Sequence, residues 1–276
     1  MKTLYISDLD GTLLRNDGRS SPFTRRVVAE LARREIPFTV ATARSAVSAA
    51  AVTEGLDLRV PRIVYNGTFL VSPEGEAVEG CVFEPETAAR IEALLASCGL
   101  HPLVYALAGG RERVLWEQGR ESAAVRRYLA KRRGDVRLWP QRERATLLRG
   151  ETFYFTCIDD REAVLRPAYE LLRGLPGCRC LLQREPLCEE YWLELYPAQA
   201  GKARAALRLK ERLGCERMVC FGDGLNDLPL IEAADLGCAV ANAAPALRAA
   251  ADVLLESNES DGVARWLLAH ALGGVL

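Results

Sequence analysis

The chain has 276 residues, which is enough for one large domain or two modest ones. Its 36 Lys and Arg residues nearly balance its 37 Asp and Glu residues, so the sequence lacks the basic excess of a dedicated nucleic-acid binder or of a protein that binds anionic lipid. The two histidines leave almost nothing for a histidine-based zinc site or a Ser-His relay.

The nine cysteines are odd in number and contain no CxxC pair. The apolar run at residues 4–6 is too short for a secretory signal. The longest uncharged run, residues 93–110, contains Gly99 and Pro102, which is typical of a helix end followed by a strand and not of a membrane span. We therefore expect reduced thiols in a cytoplasmic protein that binds neither membrane nor nucleic acid. The sequence does not indicate an oligomeric state.

Predicted strands and helices alternate over the N-terminal part of the chain. Ser21 and Pro22 are typical of an N-cap and of the first position of a helix, and Ser45 is expected to cap a second helix rich in Ala and Val. Apolar runs predict strands, the last two as a hairpin, at residues 4–7, 38–41, 63–65, 69–71 and 77–78.

The same alternation returns at the C-terminal end. Strands that alternate with helices imply right-handed crossovers and a parallel sheet covered on both faces. We therefore predict an α/β fold with a doubly wound parallel sheet. The helices are predicted at 202–213, at 228–234, from 245 onward and at 261–272, and the strands at 218–221, 236–240 and 253–255.

The composition and the pattern of predicted elements change in the middle of the chain, at residues 81–191. This segment is richer in arginine and mixes strands with helices. We predict that this segment is an α+β domain inserted into the first domain, which then consists of residues 1–80 and 192–276. Its strands are predicted at 114–116, 152–158 and 187–195, and its helices at 85–97 and 161–173.

The strongest chemical signal directly follows the first predicted strand and is the run Asp8-Leu9-Asp10-Gly11-Thr12-Leu13. Ligands of open parallel sheets bind beyond the carboxyl ends of the strands. Side chains at i and i+2 of an extended segment share a face, so Asp8 and Asp10 are expected to reach one reacting centre. Gly11 permits a sharp turn that brings N–H groups near an anion. Taken alone, the run also fits an acidic turn after a strand.

A second acidic loop, Gly222-Asp223-Gly224-Leu225-Asn226-Asp227, follows the strand predicted at 218–221. Two carboxylates and an amide are hard oxygen ligands that suit Mg²⁺, which also takes substrate phosphate oxygens. Capping of the next helix explains Asn226 or Asp227 equally well. It does not explain Asp223 and the two glycines, so the loop indicates a magnesium site.

Three weaker signals lie at the ends of other predicted elements. Thr42, followed by Ala43 and Arg44, ends the second strand, where its hydroxyl and nearby N–H groups can hold a phosphoryl oxygen or form an ordinary turn. Lys202 begins a helix, where a cation opposes the helix dipole unless an anion lies between them. The pair Asn66-Gly67 follows the third strand and is equally typical of a common turn.

Four of these segments, taken in chain order, resemble the motifs of the haloacid dehalogenase (HAD) superfamily of phosphohydrolases. The best match is its Cof-like branch, which carries a C2B-type α/β cap between the second and third motifs. The run at 8–13 matches the first motif, Thr42 the second, Lys202 the third and the loop at 222–227 the fourth. The resemblance implies a HAD-like Rossmannoid core with an inserted α+β cap domain.

Further segments are typical of the Cof-like branch. They are the pair Asn66-Gly67, residues 240–243 (Val-Ala-Asn-Ala) and residues 258–264 (Asn-Glu-Ser-Asp-Gly-Val-Ala). Ala43 and Ala203 depart from the branch, which commonly has glycine at these two positions. The segment between the second and third motifs resembles the cap of this branch only in its length and in its mixture of strands and helices.

The resemblance implies a phosphatase mechanism. Asp8 would attack phosphorus and form an aspartyl-phosphate. Asp10 would protonate the leaving alcohol and then activate the water that cleaves the intermediate. Thr42 and Lys202 would offset the charge of the transferring phosphoryl group.

The resemblance also implies a Mg²⁺ cofactor and a small phosphorylated metabolite, such as a sugar phosphate, as the substrate. Residues 189–192 (Glu-Glu-Tyr-Trp) could face this substrate or form a strand with one buried aromatic face. The implied metal ligands are Asp8, Asp10 through its backbone carbonyl, Asp223 and Asp227. The implied substrate-binding residues are Gly11, Thr12, Ala43, Arg44, Asn66, Gly67 and Asn226.

Two other functions stay open from the sequence. A phosphomutase or phosphotransferase shares the same four motifs and passes the phosphoryl group to a second hydroxyl. A non-enzymatic phosphoacceptor signalling domain also uses carboxylates, a Thr and a Lys around Mg²⁺, but it places the acceptor on an interior strand of a shorter domain. A second carboxylate two residues after Asp8 favours rapid hydrolysis over a long-lived phosphoprotein.

Overall fold

The structure is a computed structural model that describes residues 1–184 and 189–276. The chain forms two compact units, of which one combines Met1–Gly80 with Ala200–Leu276 and the other is Cys81–Gln199. The sequence pattern predicts that the first unit resumes at residue 192. The structure differs because the strand Tyr191–Pro197 pairs on both of its sides within the second unit.

Strands and α-helices of the described residues are numbered in chain order. The strands are β1 (Thr3–Ser7), β2 (Phe38–Val40), β3 (Arg62–Val64), β4 (Phe69–Val71), β5 (Ala77–Gly80), β6 (Leu103–Ala108), β7 (Arg111–Glu117), β8 (Leu138–Gln141), β9 (Glu151–Asp159), β10 (Cys178–Arg184), β11 (Tyr191–Pro197), β12 (Arg217–Gly222), β13 (Leu236–Ala239) and β14 (Val253–Leu254). The α-helices are α1 (Pro22–Arg33), α2 (Ala46–Val52), α3 (Pro85–Ser97), α4 (Ala123–Ala130), α5 (Glu162–Leu172), α6 (Lys202–Arg212), α7 (Leu228–Ala233), α8 (Pro245–Ala250) and α9 (Gly262–His270).

The first unit is built on a five-stranded sheet with the order β14-β13-β12-β1-β2. All neighbouring strands in it are parallel. Leu4 and Ile6 of β1 are fully buried, as expected for a strand in a parallel sheet that is covered on both faces. The prediction of an α/β fold with a doubly wound parallel sheet is confirmed.

A small antiparallel sheet, β3-β4-β5, also belongs to the first unit. The strand predicted at 63–65 therefore pairs with β4 instead of extending the parallel sheet, which it contacts through a parallel bridge between Ala41 and Ile63. The reason is the turn at Tyr65–Gly67, where three successive residues have positive φ angles and reverse the chain. Such a turn directs the chain into a hairpin.

The first two helices begin at the residues that the sequence predicts. The Thr24 N–H donates to Ser21 Oγ at 3.0 Å, and Pro22 is the first residue of α1. The Ser48 N–H donates to Ser45 Oγ at 3.2 Å at the start of α2. Each serine satisfies an N–H group that the first helical turn leaves without a backbone partner.

The second unit has a six-stranded sheet with the order β10-β11-β9-β6-β7-β8. Its strand pairs are antiparallel except for β7 and β8. Helices α3 and α5 bury Ile91 and Leu165 against strand residues such as Phe155 and Leu193, which gives this unit its own apolar core. The strand predicted at 187–195 overlaps β11, while residues 187 and 188 lie outside the described residues. In the described residues, every helix is too short or too polar to cross a membrane.

Candidate active site

The first acidic motif and the second acidic loop lie at the same edge of the parallel sheet. Asp8 directly follows β1 and Asp223 directly follows β12, and these two strands are neighbours. The Asp8 N–H donates to the Phe221 carbonyl at 2.9 Å, which extends the strand pairing to the first residue of the motif. Because the carboxyl ends of parallel strands meet at one edge, two distant parts of the sequence come together here.

Gly11 is required by the close approach of these two loops. The chain turns tightly within Leu9–Leu13, where the sequence analysis expected an extended segment, and Gly11 has a φ angle of +75°. A Cβ atom at Gly11 would lie 2.4 Å from Asp223 Oδ2, so a larger residue would displace this carboxylate and would also be strained at this φ angle. Thr12 Oγ1 donates to Asp223 Oδ1 at 2.7 Å. Gly11 and Thr12 thus orient Asp223, and their contact with a substrate stays a prediction.

Lys202 lies between two carboxylates of the site. Its Nζ donates to Asp8 Oδ1 and to Asp227 Oδ1, at 2.6 Å each. The exposed fractions of Lys202, Asp8 and Asp227 are 3%, 6% and 0%. Burial lowers the pKa of Lys202, but the carboxylates of Asp227 and Asp8 outweigh this effect and hold the pKa above its usual value. The ammonium group is therefore protonated at neutral pH and places a positive charge inside the acidic cluster.

The predicted pair Asn66-Gly67 approaches the start of α6 closely. A Cβ atom at Gly67 would lie 2.7 Å from the Lys202 backbone nitrogen, so glycine allows this contact. The Asn66 N–H donates to the Thr42 carbonyl at 3.0 Å, and Asn226 Nδ2 donates to Asn66 Oδ1 at 3.3 Å. These predicted residues therefore lie together next to the acidic cluster.

Asp8, Asp223 and Asp227 lie close enough together that their carboxylates could hold one metal ion. One carboxylate oxygen of each residue lies within 4.8 Å of those of the other two. The N–H groups of Asp223 and Gly224 donate to Asp227 Oδ2 at 3.2 and 3.1 Å and orient this carboxylate. Hard oxygen donors gathered this closely suit Mg²⁺, so the residues fit the implied ion. The implied ligation by the Asp10 carbonyl stays a prediction.

The carboxyl pKa values of Asp8 and Asp223 are raised. Burial raises the pKa of Asp8 well above its usual value, the Lys202 ammonium opposes this, and the neighbouring Asp227 carboxylate adds to it. Burial also raises the pKa of Asp223 to about 6, with the Asp227 carboxylate adding and the Thr12 hydrogen bond opposing. Positive charge from a metal ion would reverse both effects.

We expect the metal-free protein to lose stability as the pH rises from about 4 to above 6. The pKa of Asp is about 3.9 in an unfolded chain and that of Asp223 is about 6 in the fold. Between these values the native state binds more protons, so rising pH favours unfolding. Asp223→Asn removes this titration and should raise the thermal midpoint in EDTA at pH 7 more than at pH 4. Asp17→Asn, at an exposed position, is the control. Equal effects of Asp223→Asn at the two pH values would contradict the expectation.

Arg44 forms a bidentate ion pair with Asp10. Its Nε and Nη2 donate to the two carboxylate oxygens at 2.6 Å each, and Nη1 donates to Ser48 Oγ at 2.9 Å. The Arg44 N–H donates to Thr42 Oγ1 at 3.1 Å. Thr42 therefore forms the ordinary turn that the sequence left open as an alternative to a phosphoryl contact. Sequence reasoning missed the Arg44–Asp10 pair because no local pattern connects two residues in different loops.

Two alanines stand where the Cof-like branch commonly has glycine. Neither Ala43 nor Ala203 has a positive φ angle. Ala203 is the second residue of α6, where helical angles suit any L residue. Neither position therefore needs the conformational freedom of glycine in this chain.

Residues 189–192 belong to the second unit, where Tyr191 and Trp192 begin β11. Glu190 Oε1 accepts hydrogen bonds from Arg127 Nε and Nη2 at 3.0 and 2.9 Å. The Trp192 ring contacts Tyr128 edge-on, with 5.5 Å between the ring centroids. That residues 189–192 face a substrate stays a prediction.

Sequence reasoning assigned no role to Asn242 or Asn258, although both lie in segments that resemble the Cof-like branch. Asn242 Nδ2 donates to the Gly11 carbonyl at 2.7 Å, and Asn258 Nδ2 donates to the Leu14 carbonyl at 3.0 Å. A usable signal existed for Asn242, because it closely follows a strand of the parallel sheet and so lies at the same edge as the acidic motifs.

Comparison with known proteins agrees with the fold. A family model described as haloacid dehalogenase-like hydrolase matches residues 5–267. The chain is 28% identical to the phosphoglycolate phosphatase of Methanopyrus kandleri, over 97% of this chain and 96% of that protein. It is 26% identical to phosphatase YwpJ of Bacillus subtilis, over 99% and 100% of the two chains.

Solved structures show the same architecture. A haloacid dehalogenase-like hydrolase from Bacteroides thetaiotaomicron superposes with a TM-score of 0.78 and 24% sequence identity. The superposition covers 98% of this chain and 99% of that chain. At this identity the likeness concerns the fold alone, and it includes both units.

Proposed function

Because the chain belongs to the haloacid dehalogenase-like hydrolase family, we propose that it is a Mg²⁺-dependent phosphatase that hydrolyses small phosphorylated metabolites, such as sugar phosphates, through an aspartyl-phosphate. The observation that carries this proposal is the buried cluster in which the Lys202 ammonium bridges Asp8 and Asp227 next to Asp223. Relatives that are named phosphatases and match over nearly their full length support the class of reaction.

Asp8 is the proposed nucleophile. Its Oδ1 is held by Lys202, and attack by Oδ2 on phosphorus would form the acyl phosphate and break the bond to the leaving alcohol. Burial disfavours the charged form of Asp8, and the Lys202 ammonium counters that effect. The same ammonium would offset negative charge on the phosphoryl oxygens in the transition state.

Asp10 is the proposed general acid and base. It would give a proton to the leaving oxygen and later take one from the water that attacks the aspartyl-phosphate, so the proton count is restored after each cycle. Arg44 holds both oxygens of Asp10 through its two hydrogen bonds. Because proton transfer needs one of these oxygens, we expect the pair to loosen when substrate enters, and Arg44 then becomes a substrate contact.

Mg²⁺ would be held by the carboxylates of Asp8, Asp223 and Asp227, with support from Asn226 and the Asp10 carbonyl. When bound, the ion supplies positive charge that reduces repulsion between the carboxylates and the phosphate oxygens. The hydroxyl of Thr42 accepts the Arg44 N–H, and its own proton would be donated to a phosphoryl oxygen.

Phosphate release from a panel of phosphorylated metabolites, measured with Mg²⁺ and with EDTA, tests this function. We expect free phosphate with Mg²⁺ and a loss of about 100-fold or more in EDTA, because the charge of the site is then uncompensated. Undiminished release in EDTA would contradict the role of the ion. An isomerised product without free phosphate would indicate a phosphomutase, and a phosphoprotein that lasts minutes to hours would indicate a signalling domain.

The thiols support a cytoplasmic location. Cys157 and Cys178 are free, buried thiols. Burial raises the pKa of Cys157 and of Cys178 to about 12, so neither is a reactive thiolate at neutral pH. Free thiols of this kind are typical of a reducing compartment.

A further inference from the structure

Asn242 connects the loop after β13 to the loop after β1. Its Nδ2 donates to the Gly11 carbonyl at 2.7 Å, and its Oδ1 accepts the Asn258 N–H at 3.1 Å. Both polar atoms of the amide are therefore used, although the residue is exposed. An amide is required here because one end of the side chain donates while the other accepts.

Asn258 continues this contact towards the C-terminal side of the same turn. Its Nδ2 donates to the Leu14 carbonyl and to Asn16 Oδ1, at 3.0 Å each. Asn258 is buried, with 2% of its surface exposed. Loss of these bonds would leave buried polar groups without a hydrogen-bond partner, because water does not reach them. We call Asn242 and Asn258 the asparagine bridge. This bridge holds the turn after Asp8 at Gly11, in the middle of the turn, and at Leu14, directly after it.

The turn held in this way is the part of the chain that orients Asp223. Within it, a Cβ atom at Gly11 would lie 2.4 Å from Asp223 Oδ2 and would displace this carboxylate. Thr12 Oγ1 donates to Asp223 Oδ1 at 2.7 Å. The loop that carries Asn242 also contacts Asp223 directly, since the Ala244 N–H donates to the Asp223 carbonyl at 2.8 Å. Asp223 is thus held from two sides by segments that Asn242 ties together.

We propose that Asn242 is a positioning residue for the metal-binding carboxylate of Asp223, acting through the Gly11 carbonyl and the Thr12 hydroxyl. The proposal rests on the proposed function, because it gives Asp223 a bound ion to position. Asn242 contacts neither the acidic cluster nor Lys202 in the hydrogen bonds of the described residues, so its effect is indirect. Residues that orient metal ligands in this way typically change metal affinity or activity 10- to 100-fold when they are replaced.

The variant Asn242→Ala tests this proposal in the full-length protein. Because Asn242 is exposed, the variant should fold. We expect faster amide hydrogen exchange in a peptide spanning residues 9–14, measured by mass spectrometry without Mg²⁺. We also expect the Kd for Mg²⁺, measured by titration calorimetry, to rise about tenfold. Turnover should fall at low Mg²⁺ and recover at saturating Mg²⁺, with little change in the KM for the phosphorylated substrate.

The matched control is Ala241→Ser, which changes the exposed neighbouring position of the same loop. It should leave both the exchange of residues 9–14 and the Kd for Mg²⁺ at their wild-type values. Wild-type exchange in Asn242→Ala would overturn the proposal, because the turn would then not depend on this side chain. Faster exchange with an unchanged Kd would also overturn it, because Asn242 would then stabilise the fold without positioning Asp223.

The wild-type protein tests the proposed function, and the comparison of Asn242→Ala with the wild type tests the role of Asn242. A wild-type protein that binds Mg²⁺ but releases no phosphate would contradict the phosphatase function alone. The Kd of Asn242→Ala relative to that of the wild type would still decide the role of Asn242. A wild-type protein that binds no Mg²⁺ would overturn both.

Discussion

Replacement of Asp8 by asparagine is expected to lower phosphate release by roughly 10⁴-fold or more, the scale seen when a catalytic nucleophile is removed. Asparagine keeps the shape of the side chain but lacks the carboxylate that is proposed to attack phosphorus. Lys202 retains its contact with Asp227 in this variant, so the cluster keeps one of its two ion pairs. The measurement is kcat with Mg²⁺ on p-nitrophenyl phosphate and on the best metabolite of the panel.

Asp17→Asn is the matched control for this experiment, because it makes the same chemical change at an exposed position that follows the same motif. It should keep wild-type turnover. Thermal unfolding of Asp8→Asn separates loss of chemistry from loss of fold, and Asp8→Ala serves as a second variant. Turnover within tenfold of the wild type in folded Asp8→Asn would remove Asp8 from the role of nucleophile.

Replacement of Lys202 by methionine is expected to lower the free energy of unfolding by about 3–5 kcal/mol in EDTA, the usual effect of leaving a buried charge without its partner. The lysine is the cation that both Asp8 and Asp227 contact at 2.6 Å, and all three side chains are buried. Methionine preserves the length and apolar part of the side chain but leaves two carboxylates facing each other. Turnover should also fall by about 100-fold or more, because the variant lacks the charge that is proposed to offset the phosphoryl oxygens.

Lys210→Met is the control for stability, since Lys210 forms an ion pair with Asp235 nearer the surface, at 2.8 Å. Such exposed pairs contribute about 0–1 kcal/mol. Urea unfolding in EDTA and in Mg²⁺ measures both variants. Mg²⁺ should restore part of the stability of Lys202→Met, because a ligand that binds the native state stabilises it. A free energy of unfolding equal to that of Lys210→Met would show that the buried carboxylates do not need the lysine.

The sequence predicts local structure well where a few neighbouring residues decide it. Ser21 and Pro22 identify the start of α1, because the cap needs one serine hydroxyl and the N–H group three residues later. The turn at Tyr65–Gly67 illustrates the limit. Asn66-Gly67 indicates a turn, but the resulting antiparallel pairing of β3 with β4 depends on residues beyond that pair.

The parallel sheet is a case in which a local pattern predicts a long-range contact. Strands followed by acidic loops were expected to bring Asp8 and Asp223 to one edge, and the structure places their carboxylates within 4.8 Å of each other and of Asp227. The physical reason is that all strands of a parallel sheet end on the same side. The variants Asp8→Asn and Lys202→Met test the proposed catalytic roles.

Periodicity and capping residues are enough to predict the fold class, the starts of the first helices and the residue types that can gather at the sheet edge, because they are local properties of the sequence. The folded structure is needed to show that Arg44 pairs with Asp10, that Asn242 holds Gly11 and that β11 belongs to the second unit. Each of these contacts joins segments far apart in the chain. Their partners are selected by the packing of whole elements against one another, and no short pattern records that packing.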